Sequence, residues 1–389
     1  MNARIRLHAL TPALLAALFY CAVLFRFAQT QFGGNVTGFS YISRNYPAPA
    51  IWTDRTFVRE DDGYDGMFYY YIAHDPFIRT DLYRSFMDGW TAYRYQRIAY
   101  PLTVFTLSLG KKEWIPYGMV LVNVLAVAIG VFFCAKIAEF YGKSPYFSIA
   151  YALIPGLFLS VTRNLTEPLQ MALICGGTYF YICKNRTWVS ALFLGAAALA
   201  KDTALLVPFA FFLLEVFKHR RFRQAAFYII PPVLYFAWRA YVVWTIGESA
   251  VPHGEYRNFG GYHSLYPVPF VPFFQIAAHK WSSMNLSAGV THDTVDALLT
   301  LSSFAAIALS FREFKFREHS LSLCALLFGV LGAFVANPWI ELYGYGRTLA
   351  PLSAFLLLIY FARSDKLVWL PLGLGMMSLA TFLRCAGVL

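Results

Sequence analysis

Long apolar runs separated by short polar or basic loops dominate this chain. About 20 consecutive apolar residues in helical form cross a bilayer's hydrocarbon core. By that rule the pattern predicts spans at 9–28, 114–136, 145–162, 166–183, 187–200, 203–217, 222–246, 294–311, 320–336, 347–362 and 367–385. The expected fold class is an all-α polytopic membrane protein, a bundle of about eleven transmembrane helices. Two of the runs, 187–200 and 203–217, are short and meet at Lys201-Asp202. Such a break is where helices meet at a polar cavity. Segment 98–110 is apolar but too short for a comfortable crossing, with Pro101 early in it.

The side on which each loop falls depends on that segment. If 98–110 is re-entrant or interfacial, the basic loops Lys184-Asn185-Arg186, Lys218 to Arg223, Arg312 to Arg317 and Arg363 to Lys366 share the side of the N-terminus. The positive-inside rule is then satisfied throughout. The opposite, outer face receives loop 29–95, Arg163 to Pro168, Lys201-Asp202, loop 247–293 and Asn337 to Arg347. Those pieces hold nearly all the polar residues that are unusual for a membrane protein, so an active site on the outer face is expected. Loop 29–95 is too long to be structureless. Its mixed aromatic-polar stretches Tyr64 to His74 and Asp81 to Tyr93 suit interfacial helices. No repeat or soluble domain interrupts residues 1–389, which read as one integral membrane unit.

Composition agrees with this picture. The 389 residues are 58% hydrophobic, 19% aromatic and only 14% charged, against about a quarter charged in soluble domains. The formal charge of +11 lies mostly in short loops, where it orients helices and meets anionic lipid; no basic-aromatic platform for nucleic acid is present. Cys21, Cys134, Cys175, Cys183, Cys324 and Cys385 lie in or beside apolar segments without metal-ligand spacing and read as small buried hydrophobes. The N-terminal run is long and lacks a small-residue cleavage site, so it reads as an uncleaved first span.

The chemistry-bearing residues concentrate on the outer side. Glu60-Asp61-Asp62-Gly63-Tyr64-Asp65-Gly66 puts carboxylates beside hydrocarbon, where they are expensive. Flanking glycines permit a tight turn into a helix with Asp65 at its N-terminus, either as an N-cap or as a working carboxylate. Glu60, Asp61 and Asp62 also permit an oxygen-ligand divalent metal site. Arg94 and Arg97 suit phosphate binding or interfacial snorkelling. Thr166-Glu167-Pro168 has ordinary helix-start chemistry. Lys201-Asp202 reads as an intramembrane ion pair marking a site. Arg347 enters a span against the positive-inside trend and needs an anionic partner, Glu341 or a phosphate. His253, His263, His279 and His292 lack metal-ligand spacing, and no hydrolase, ATPase or dinucleotide motif is present.

Taken in order, Tyr64-Asp65-Gly66-Met67-Phe68-Tyr69, Arg94-Tyr95-Gln96-Arg97-Ile98-Ala99-Tyr100-Pro101-Leu102, Thr166-Glu167-Pro168 and Lys201-Asp202-Thr203-Ala204-Leu205-Leu206 resemble the GT-C superfamily of integral membrane glycosyltransferases. The chain is most similar to bacterial cell-surface glycopolymer formation proteins and, more distantly, to the GPI mannosyltransferase II type. The resemblance covers roughly the first 220 residues, and the remainder only through its helical pattern and Arg347. It implies a polyprenyl-phosphate sugar donor, a glycan or lipid acceptor, and Asp65 as catalytic base. Asp62, Tyr64, Tyr69, Arg94, Arg97, Glu167, Lys201, Asp202, His263, Tyr345 and Arg347 become the expected substrate-binding residues. It further implies a bacterial inner (plasma) membrane with the active face periplasmic or extracellular. No second acidic motif like that of the oligosaccharyltransferases is present, which counts against a metal, so no cofactor is expected. The rival expectations are a lipid-linked sugar transporter or flippase, a non-catalytic partner in polysaccharide assembly, and a ligase or polymerase using His253, Arg257 and His263.

Overall fold

The computed structural model describes residues 3–48, 50–85, 91–247, 269–271, 274, 292–314, 320–334 and 344–388. Helix α1 (Ala3–Phe32) packs on α5 (Ile115–Phe140); α5 packs on α8 (Glu167–Ile182), and α8 on α9 (Thr187–Ala200). On the far side of α9 lies α12 (Ile230–Ile246). A second group forms from α13 (His292–Arg312), α14 (Ser320–Phe334), α16 (Ala350–Arg363) and α17 (Trp369–Cys385), joined to the first where α16 meets α5. The only strands among the described residues are β1 (Ile42–Ser43) and β2 (Val58–Arg59), a two-residue parallel pairing within the first loop.

The all-α expectation holds, and the chain is an integral membrane protein. The count of full-length spans is lower than expected. Among the described residues, five helical stretches are long and apolar enough to cross a membrane: His8–Phe32, Lys112–Phe140, Phe222–Ile246, Asp293–Arg312 and Lys366–Cys385. The remaining apolar runs are shorter or broken. Run 145–162 divides into a turn, α6 (Ile149–Ala152) and α7 (Pro155–Val161), because Pro155 cannot donate to the preceding helix and pushes Ile154 into extended backbone. Run 203–217 has only α10 (Leu206–Leu213) as regular helix, followed by a π-helical turn over Leu214–Lys218. Run 347–362 separates at Leu349 into α15 (Gly344–Thr348) and α16. At 1.5 Å per residue, the 14 residues of α9 extend about 21 Å against a core of about 30 Å.

Segment 98–110 forms α4 (Ala99–Leu107), nine residues long and far too short to cross. In the first loop, α2 (Gly66–His74) is a helix as expected but not an interfacial one, because Gly66 through Ala73 are all buried. It packs on α4 and α5 in a second apolar core with Tyr95, Ile98, Tyr100 and Met119. Within 81–93 the described residues form a 3₁₀ turn over Asp81–Ser85 and the start of α3 (Thr91–Tyr95). Of the cysteines, Cys134, Cys175 and Cys324 are buried, whereas Cys21 faces outward.

Candidate functional site

Asp65 sits where the chain turns into α2. The turn needs Gly63, whose φ is +69° and where a Cβ would stand 2.4 Å from the Tyr41 carbonyl oxygen. Gly66 lets α2 approach the loop between α7 and α8: a Cβ there would lie 2.1 Å from the Arg163 carbonyl oxygen. These two close approaches leave Asp65 at the half-buried junction of α2, α3, α8 and α15. The Asp65 side chain makes no cap to its own helix. Its carboxylate is instead taken by arginines, so the N-cap reading does not hold.

Arg94 Nη1 donates to Asp65 Oδ1 at 2.5 Å. The Arg94 guanidinium carbon lies 3.6 Å from the centroid of the Phe68 ring, a cation–π seat one helical turn along α2. Arg347 Nη1 stands 3.5 Å from Asp65 Oδ2 and 3.6 Å from Glu167 Oε1. The anionic partner that Arg347 needs is thus a pair of carboxylates; Glu341 lies outside the described residues. Lys201 Nζ donates to Glu167 Oε1 at 2.8 Å. Glu167 Oε2 is buried with no hydrogen-bond donor among the described residues. Thr166, expected to cap α8, makes no side-chain cap, and its Oγ1 is buried without a partner among the described residues.

Lys201 and Asp202 do not pair with one another. Lys201 is extended, with φ −160° and ψ 132°, so successive side chains leave opposite sides of the chain. Lys201 turns to Glu167, while Asp202 acts electrostatically on Arg97 and Tyr93. Arg97 donates to Tyr69 Oη at 3.1 Å and to Tyr93 Oη. The Tyr64 ring completes the group: Arg347 lies 4.9 Å from its centroid and Arg163 5.5 Å.

The structure therefore brings Tyr64, Asp65, Tyr69, Arg94, Arg97, Glu167, Lys201, Asp202 and Arg347 together. It does not bring in Asp62, which is exposed and accepts from Asn45 Nδ2 at 3.0 Å. Tyr345 is also elsewhere: its hydroxyl bonds Thr300 and Asp296, tying α15 to α13. That hydroxyl serves packing because a buried phenol needs a partner. His263 lies outside the described residues. Sequence reasoning missed Tyr93 and Arg163. Tyr93 carried a usable signal, standing four residues before Arg97 in the sequence.

The acidic run before Asp65 is spoken for. Glu60 pairs with Arg44 at 2.9 Å, Asp61 with Arg59 at 2.5 Å, and Asp62 with Asn45. Among the described residues no three His, Cys, Asp or Glu side chains converge as metal ligands do. The acids Glu60 to Asp62, whose sequence also permits an oxygen-ligand metal site, each make a local pair.

Four basic side chains, Arg94, Arg97, Lys201 and Arg347, thus face three carboxylates, Asp65, Glu167 and Asp202. Burial disfavours the charged form of Asp65, but Arg94, Arg347 and Arg97 outweigh it and hold the carboxyl well below the usual carboxylate range. Buried charge in an apolar protein is costly unless paired, and Asp65 and Glu167 are each paired with basic side chains here. In comparisons with family models, curated proteins and solved structures, nothing matches this chain.

Proposed function

We propose that this chain is a membrane glycosyltransferase of the GT-C type. It moves a sugar from a polyprenyl-phosphate donor to a glycan or lipid acceptor, on the periplasmic face of a bacterial inner membrane. The reading rests above all on the gathering of Arg94, Arg97, Lys201 and Arg347 around Asp65 and Glu167, the kind of donor set that recognises a phosphate. In this reading the short helices α8, α9 and α10 end at the polar site instead of completing crossings, as broken helices do around substrates in membranes.

The step is a single inverting displacement. The acceptor oxygen attacks the anomeric carbon as its proton passes to a carboxylate oxygen of Asp65. The bond from the anomeric carbon to the phosphate oxygen breaks, and polyprenyl phosphate leaves. Arg347, Lys201 and Arg94 stabilise the charge that grows on the leaving phosphate, usually the greatest single source of acceleration in such a site. The base contributes typically 10²–10⁴-fold. An apolar hollow of about 340 Å³ has walls that include Leu205, Pro208, Phe209 and Ile229. Leu205 ends the short turn that Asp202 begins, which suits the hollow to the first isoprene units of a lipid whose headgroup is near Lys201.

The test is incubation of purified protein with a panel of radiolabelled polyprenyl-phosphate sugars. The expected result is consumption of one donor, with transfer abolished in Asp65→Asn while folding is retained. Full activity in Asp65→Asn refutes the assignment. Movement of a labelled donor across vesicles without its consumption favours a transporter instead.

A further inference from the structure

A base must be basic enough to take a proton, and both oxygens of Asp65 face guanidinium groups. Arg94 occupies Oδ1 at 2.5 Å and Arg347 stands 3.5 Å from Oδ2. The groups facing this carboxylate are Arg94 and Arg97 from α3 and the residues after it, Tyr64 and Tyr69 from the α2 segment, Arg347 from α15 and Glu167 from α8. Lys201 stands behind Glu167. Held among these cations, Asp65 stays ionised far below neutrality, whereas a general base works best with its pKa near the operating pH.

Arg94 and Arg347 are also the groups that the transferase reading gives to the donor's phosphate, and one guanidinium cannot serve two anions at full strength. Arg347 is already a compromise. Its contacts of 3.5 and 3.6 Å to two carboxylates are both longer than the about 2.7–2.9 Å of a strong charge-assisted bond.

We propose that Arg94 and Arg347 exchange partners: an arriving phosphate draws them away from Asp65, so that Asp65 can accept a proton only when the donor is in place. The exchange rests on the transferase reading and adds to it an order of events, donor before deprotonation. It assigns Asp65 a second role as stand-in anion for the phosphate. With its counter-ions gone and a new anion beside it in a buried site, the carboxylate binds protons more readily.

The probe is farnesyl methyl phosphate, a diester whose single charge does not titrate near neutrality. It is titrated into the full-length protein in detergent at mildly acidic pH, in two buffers of different ionisation enthalpy. Exchange predicts net proton uptake on binding in the wild type and none in Asp65→Asn. It also predicts that Asp65→Asn binds the diester more tightly, by about tenfold, within the 5–150-fold usual for coupled sites. In an Arg94→Gln background that gain should shrink to about twofold or less, because the competition acts through Arg94. Simple charge repulsion by Asp65 would persist in that background. Saturable binding with no proton uptake and no gain in Asp65→Asn overturns the exchange and leaves the donor reading standing. Absence of saturable binding in both wild type and Asp65→Asn overturns the donor reading, and the exchange with it.

Discussion

Gly156 and Gly346 are in backbone contact: a Cβ on Gly156 would stand 1.9 Å from the Gly346 carbonyl oxygen and 2.9 Å from the amide nitrogen of Arg347. Helix α7 therefore sets where α15 lies, and α15 carries Arg347. A methyl group at 156 must push that backbone away, with an overpacking cost of about 1–3 kcal/mol. Gly156→Ala is expected to lower the thermal unfolding midpoint in detergent and to impair donor binding. Gly373→Ala is the control. Nothing lies within 4 Å of a Cβ there, and replacing a helical glycine by alanine should hold or raise stability.

Lys201 and Glu167 are expected to behave as a unit. Their side chains are 8% and 3% exposed, so removing one leaves the other charged and buried. Lys201→Met alone should destabilise by about 3–5 kcal/mol. The double variant Glu167→Gln/Lys201→Met should recover a large part of that loss, because neither charge is then stranded. A double-mutant cycle on thermal stability reads the coupling. Additive losses would show that the 2.8 Å contact carries little.

His74 gives the first loop an acid-sensitive point. Its Nδ1–H donates to the Tyr70 carbonyl oxygen at 2.8 Å, and Nε2 is buried without a partner among the described residues. Burial, helped by the charge of Lys112, pushes the imidazole pKa down from 6.5 to about 4. The unfolded chain therefore binds more protons than the folded one between those values. Stability is fully present above about pH 6.5 and falls as pH drops toward about 4, by up to about 3 kcal/mol. Asp65 remains ionised across this window, because its arginines outweigh the burial that opposes ionisation. Thermal melts at several pH values should show the loss, and His74→Gln should flatten it.

The apolar runs were legible in the sequence because their period and length are local properties. Where they failed, the cause was also local: Pro155 and the turn at Leu349 break segments whose mean hydropathy still reads as a span. The grouping of Asp65 with Arg94, Glu167, Lys201 and Arg347 was visible as an order of short motifs. Its pairings were not. Sequence adjacency suggested Lys201 with Asp202, but an extended backbone at Lys201 sends the two side chains apart. Tyr345 is expected among the substrate-binding residues, yet its partners Thr300 and Asp296 come from a helix some 45 residues away. The contacts of Gly66 with Arg163 and of Gly156 with Gly346 join distant segments, and no local pattern reports them.

Arg347 separates charge from shape in the proposed reaction. Its guanidinium is shared by Asp65 and Glu167 and packs on the Tyr64 ring at 4.9 Å. Lysine keeps the charge but has neither the planar fork nor the stacking face. Arg347→Lys is expected to lower transfer by about tenfold, and Arg347→Gln by about 10²–10³-fold, the usual cost of deleting a group that stabilises charge in the transition state. Steady-state kinetics on the donor identified by the panel would measure both. If the arginine acts on the leaving phosphate as charge develops, the loss falls on kcat and on kcat/KM alike. A loss confined to KM would place Arg347 in ground-state binding only, and equal activity in the lysine and glutamine variants would remove its charge from the mechanism.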